Sequence, residues 1–189
     1  MTRVTIAGIG NILMGDDGIG PYVARILEAT YDFEDARAAD LGTPVMDFPD
    51  HLDDSETVLI IDAVENRKTP GTITVYDKSD LLKNGVPVRT DPHSPALSEM
   101  LLRAEFTGVG PTNAILVGIT AKACDYYTSI SDEVKAAVPA AIQEVLCQAE
   151  KLGVRYTKKA NPENPDLWWD TPVPGVPYLP LVGRCGTPQ

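Results

Sequence analysis

The chain of 189 residues lacks any long apolar run. No stretch approaches the roughly 20 uninterrupted apolar residues that a membrane span needs, which excludes membrane insertion by a helix. Basic residues are scarce: 16 Lys and Arg stand against 27 Asp and Glu, for a formal net charge of -11. Phosphate and anionic lipid are bound through Lys and Arg, so this balance argues against nucleic acid and acidic membrane surfaces as partners. Cysteine is equally sparse. Cys124, Cys147 and Cys185 are odd in number, far apart and without a CxxC pair, the pattern of reduced thiols in a cytoplasm. Cys147 falls in an apolar helical run and reads as a small core residue. Past Arg3 the N-terminus goes straight into a strand-like run, with no small-residue cleavage site, so no signal peptide is expected. There are only two histidines, His51 and His93. His51 sits among acids in a loop-like stretch, and no Ser or Cys nucleophile triad is apparent.

What the chain does have is alternation. Val4–Ile9 is a continuous apolar run, as in a strand buried on both faces. Pro21 suits a first helical turn, and Val23, Ile26, Leu27 and Thr30 then share one helical face. Residues 36–40 read as a weak second strand, and Val58–Ile61 as a clear buried one ending at Asp62. Pro70-Gly71 signals a turn into an alternating strand over 72–76, paired antiparallel with its neighbour. Leu97, Leu101 and Leu102 keep helical spacing behind His93, and residues 114–119 form another strand. Ser129 or Ser131 caps a last helix with a Val134, Val138, Ile142, Val145 and Leu146 stripe. Pro139 interrupts that helix and Gly153 ends it. Strands alternating with helices predict an α/β fold, a three-layer α/β/α sandwich. Its twisted sheet is mostly parallel with an antiparallel edge strand. Residues 1–154 form this domain, and residues 155–189 a Pro-rich tail in which Trp168, Trp169, Tyr178 and Leu179 would be costly to leave in water.

Gly8 and Gly10 begin a dinucleotide-like glycine loop, but Leu13 stands where its third glycine belongs. The following turn carries Asp16 and Asp17, which would repel a pyrophosphate. Sites in open parallel sheets form beyond the carboxyl ends of the strands. Asp16 and Asp17 follow the first strand, Asp62 a central one, and His93 precedes a helix expected at the same edge. Two carboxylates and an imidazole there would form an open site for a divalent metal. Each also has a plainer role open to it: a helix cap, a turn acceptor, or a structural histidine.

Several stretches together carry a family resemblance. GIGNILMGDDGIGP resembles the opening motif of the hydrogenase maturation peptidases, G-x-G-N-x-x-x-x-D-[DE]-x-x-G. VLIIDAVENRKTPGTITVYD resembles the second motif, DPHSPALSEML the third, and NAILVGIT with YTSISDEV the closing strand and helix. The resemblance covers about Arg3 to Val154. It implies a cytoplasmic endopeptidase that removes a short C-terminal extension from the precursor of a nickel-iron hydrogenase large subunit, after nickel insertion. It further implies a metal-binding trio of Asp17, Asp62 and His93. The nickel is carried by the substrate, other divalent metals being able to occupy the site, and a monomer is the expected state.

Two mechanisms follow. Either a metal on the trio polarises the scissile carbonyl or a water, or the metal serves recognition and a carboxylate such as Asp16 or Asp62 activates the water. A non-catalytic, metal-binding hydrogenase assembly factor is the alternative reading. Two stretches depart from the family: residues 40–45 lack two glycines of D-G-G-T-x-G, and Thr120-Ala121 stand where Q-P is common. Both loops are expected to flank the cleft and to tune which large subunit is accepted.

Overall fold

The computed structural model describes residues 4–43, 52, 55–83, 97–167 and 169. Its centre is a five-stranded sheet in the order β3-β1-β4-β6-β5, formed by β1 (Val4–Ile9), β3 (Ala36–Gly42), β4 (Thr57–Val64), β5 (Ile73–Asp77) and β6 (Asn113–Thr120). β1 pairs in parallel with β3 and β4, and β4 with β6; β5 runs antiparallel on β6 at the edge. The mixed sheet with its antiparallel edge matches the expected fold class. β5 skips its sequence neighbour β4 because residues 65–72 pass over the end of β6, where Gly71 N–H donates to Thr120 O at 2.8 Å.

Period-two alternation divides the central strands between two cores. Val4, Ile6, Leu59, Ile61, Val117 and Ile119 face α1 (Ile19–Thr30) and α4 (Asp132–Lys151). Ala7, Ile9, Val58, Ile60, Val64 and Leu116 face the opposite core with Leu81 of α2 (Lys78–Lys83) and Leu101 of α3 (Leu97–Thr107). Helices therefore cover both faces, which is why β4 is buried along its whole length. On α1 the expected stripe of Val23, Ile26, Leu27 and Thr30 is buried, whereas Leu102 of α3 points outward, 53% exposed. α4 runs through Pro139, whose missing N–H leaves the carbonyl four residues earlier without that helical bond. Gly153 follows α4 with φ +80°, the left-handed conformation that stops a helix.

A second, two-stranded sheet has no counterpart in the expected organisation. β2 (Tyr31–Glu34) pairs antiparallel with β7 (Arg155–Lys158), which carries the folded chain past residue 154. Tyr156 stacks edge-on against Tyr31, with ring centroids 5.6 Å apart. Further on, Leu167 is buried in the α1/α4 core and Trp169 packs against it. Trp168, Tyr178 and Leu179 lie outside the described residues, as do the departures at Pro44 and Val45. Cys124 is buried and not in a disulfide, as expected of a reduced thiol, and Cys147 is half-buried on α4.

Candidate active site

β1 sends its connection through α1 to β3 on one side, and the chain then returns to β4 on the other side. Such a reversal opens a crevice at the carboxyl ends of the two strands. The first connection is drawn close by its glycines. At Gly10 φ is +132°, and a Cβ there would collide with the Asp17 carbonyl oxygen. At Gly20, in the first turn of α1, a Cβ would collide with the carbonyl oxygens of Ile9 and Ile61, the backbones of both strands. The glycines that resemble a phosphate loop thus let the backbone turn and let α1 lie directly on the sheet.

The two adjacent acids face different surroundings. Asp16 is fully buried in the turn Gly15–Gly18. Its Oδ2 accepts from Lys122 N–H at 2.7 Å, Ala123 N–H at 3.0 Å and Ser131 Oγ at 3.0 Å. Its Oδ1 accepts from Ser131 N–H at 2.6 Å, and its own N–H donates to Ala123 O at 3.0 Å. Ser131 does precede α4, but its side chain makes no capping bond to the helix and donates to Asp16 instead. Asp16 therefore fastens the glycine loop to the segment between β6 and α4.

Asp17 is half-buried, and its Oδ2 accepts from Asn11 N–H at 2.7 Å. Asn11 Oδ1 in turn accepts from Leu13 N–H at 3.0 Å, which holds the loop around the carboxylate. Asp62 lies inside β4, not after it as expected, because β4 continues to Val64 alongside β6. The pairing of β4 with β1 stops at Gly8 and Ile61, so Asp62 is the first residue past it, in the crevice. It is 4% exposed, and its Oδ1 accepts from Ala63 N–H at 2.7 Å and lies 3.6 Å from where a Gly10 Cβ would be. Burial raises its pKa well above the usual carboxylate range, the negative charge of Asp17 raises it further, and the Ala63 N–H opposes both.

Two members of the expected trio, Asp17 and Asp62, thus come together. Among the described residues no third His, Cys, Asp or Glu joins them in a metal-holding group. His93 and His51 lie outside those residues. Sequence reasoning missed the roles of Asn11 and of the 122–131 segment. An Asn directly after the second glycine was a local signal for the first. Contacts spanning more than a hundred positions left none for the second.

Known proteins share this arrangement of elements. The family model described as hydrogenase maturation protease matches residues 21–148, more than half of the chain. The hydrogenase 2 maturation protease of Escherichia coli K12 is 28% identical over 157 residues, covering 80% of this chain and 93% of that protein. A hydrogenase expression/formation protein, HupM of Azotobacter chroococcum, is 29% identical over 159 residues, covering 83% and 76%. Among solved structures, the E. coli hydrogenase maturating endopeptidase HybD superposes with a TM-score of 0.72 at 26% identity, covering 84% of this chain and 98% of that one. No helix among the described residues is long and apolar enough to cross a membrane.

Proposed function

The chain belongs to the hydrogenase maturation protease family, and from that membership we propose that it removes the C-terminal extension of a nickel-iron hydrogenase large-subunit precursor after nickel insertion. In this reading Asp17, Asp62 and His93 meet the nickel that the substrate carries. The observation that supports it is the pair of carboxylates at the crevice, Asp62 buried and Asp17 half-buried. Asp62 is almost fully enclosed, and Asp17 adds to the cost of ionising it. A divalent cation arriving on the substrate would reverse that balance, favouring both carboxylates in their charged forms. Hard oxygen ligands suit an open coordination position on a metal otherwise held by the client protein.

Of the two hydrolytic mechanisms, we favour recognition by the metal with a carboxylate as base. In that mechanism the carboxylate that activates the water is Asp62, beside Asp17 in the crevice; its raised pKa belongs to the protein without nickel, and a cation bound there would lower it. The water attacks the scissile carbonyl carbon, and the proton passes on to the leaving amine. Asp16 is the weaker candidate base, since both of its oxygens already hold donors. We assign it to positioning. The chain acts as a monomer in the cytoplasm in this reading.

The test is incubation of the purified protein with a large-subunit precursor, loaded with nickel or not, followed by intact mass measurement. Loss of the C-terminal peptide from the loaded precursor alone supports the proposal. Stable binding with no mass change would replace it with the assembly-factor reading.

A further inference from the structure

Three large apolar side chains are exposed beside the loop that carries Asp17: Leu13 at 45%, Tyr126 at 62% and Tyr127 at 86%. They belong to one patch. Tyr127 N–H donates to Leu13 O at 2.7 Å, and the rings of Tyr126 and Tyr127 lie 6.3 Å apart at 45°. Tyr127 also has φ +58°, a left-handed conformation that is uncommon for an aromatic residue and is kept only where surrounding contacts impose it.

Those contacts are the ones around Asp16. The segment bearing the tyrosines supplies all four donors to the buried carboxylate, from Lys122, Ala123 and Ser131 on either side of them. Thr128 Oγ1 donates to Asp125 O at 2.7 Å and closes the turn between. A Cβ on Gly15 would meet Thr128 Oγ1 at 2.6 Å, so the two loops lie in direct contact. The tyrosines therefore stand on a braced base, continuous with the rim of the crevice. On a chain of net charge -11, these three side chains give the rim an uncharged, apolar stretch.

We propose that Leu13, Tyr126 and Tyr127 form the docking platform for the client polypeptide, seating an apolar stretch of the precursor next to the bond to be cut. This inference rests on the proposed function and adds the surface that holds the substrate. Continuity with the crevice identifies the occupant, because the polypeptide must cross this rim to bring its nickel to Asp17 and Asp62. Tyrosine suits such a platform because it offers large contact area at low cost in side-chain entropy, and residues of this kind dominate binding energy at interfaces.

The experiment measures binding of the nickel-loaded precursor and the kinetics of its cleavage separately. The variants are Tyr126→Ser, Tyr127→Gly and the two combined, with Phe106→Ser as control. Glycine at position 127 keeps the left-handed backbone, so the turn is preserved. Phe106 is 93% exposed on α3 and outside the platform. The expected result is a rise in Kd and KM of at least about tenfold for the double variant, with kcat at saturating precursor within about twofold of the parent. The control should match the parent. Kd and KM within about twofold for the double variant, or an equal loss in the control, would overturn the platform. So would a change of the precursor-free protein from dimer to monomer in the double variant, which would assign the patch to self-association. A parent protein that binds precursor without cleaving it refutes the peptidase reading and still reports on the platform through Kd. A parent protein that does not bind refutes both.

Discussion

The substitution Asp16→Asn is a demanding test of the division of labour between the adjacent acids. Asp16 is enclosed completely and accepts four hydrogen bonds, three on one oxygen and one on the other. An asparagine of the same shape can present its oxygen where the three donors converge. Its amide nitrogen then faces the Ser131 N–H, donor against donor. Losing that charge-assisted bond costs about 1.5–3 kcal/mol, and the remaining bonds, now to a neutral acceptor, each weaken by some tenths of a kcal/mol or more. The expected destabilisation is therefore about 3–5 kcal/mol, a large part of the roughly 5–15 kcal/mol typical of a domain. At about 2–4 °C per kcal/mol for a chain of this size, Tm should fall by about 6–20 °C. Urea unfolding followed by tryptophan fluorescence should show a lower midpoint at unchanged slope. The matching Asp17→Asn substitution removes one of two like charges from the crevice and should leave stability within about 1 kcal/mol or raise it. A loss below about 1 kcal/mol for Asp16→Asn would refute the reasoning, as would an equal loss for both variants.

The other predictions concern the crevice and its supports. Asp17→Asn and His93→Ala should abolish precursor trimming, read by intact mass, while circular dichroism stays that of the parent; normal trimming by either variant counts against the trio. Asp62 has a raised pKa in the folded protein, so its ionisation weakens the fold. Its contribution to stability should be greatest at acid pH and be lost as pH rises from the ordinary carboxylate range through the raised value. In Asp62→Asn this part of the decline should vanish from urea midpoints measured across pH, and its persistence would assign it to another group. Gly20→Ala drives a methyl into Ile9 O and Ile61 O and should cost about 1–3 kcal/mol or more in urea unfolding; a neutral result would mean that α1 does not lie on the sheet as described. Truncation after Gly153 removes β7, Tyr156 and Leu167 and should lower Tm measurably, whereas an unchanged Tm would show that this part of the tail adds nothing.

The fold was legible where burial imposes a simple pattern. Strands such as β1 and β4 are covered on both faces and read as unbroken apolar runs, and the Pro70-Gly71 turn announced an antiparallel strand but not its partner, which is β6 and not the preceding β4. The small sheet of β2 and β7 was not legible, because two four-residue strands in which polar residues alternate with Phe33 and Tyr156 resemble loops until they meet. Within the site, the family motifs named Asp17 and Asp62, and both stand at the crevice, although Asp62 lies inside β4 and not beyond its end. Spacing alone could not divide the work between Asp16 and Asp17; only the resemblance singled out Asp17 for the metal trio. Neighbours in sequence differ here only in which way the turn aims them, and that is decided by Ser131, far along the chain. Nor could it foresee that Ser131 would bond to Asp16 in preference to capping its own helix.

The tie between Asp16 and Lys122, 106 positions apart, also constrains when the protein becomes competent. A chain emerging from the ribosome completes its glycine motif almost at once, yet the donors that fix it are translated only after β6. Until then the loop has the right letters and no fixed shape. Competence of the loop should therefore arrive late, once the segment between β6 and α4 has been made and has closed on Asp16.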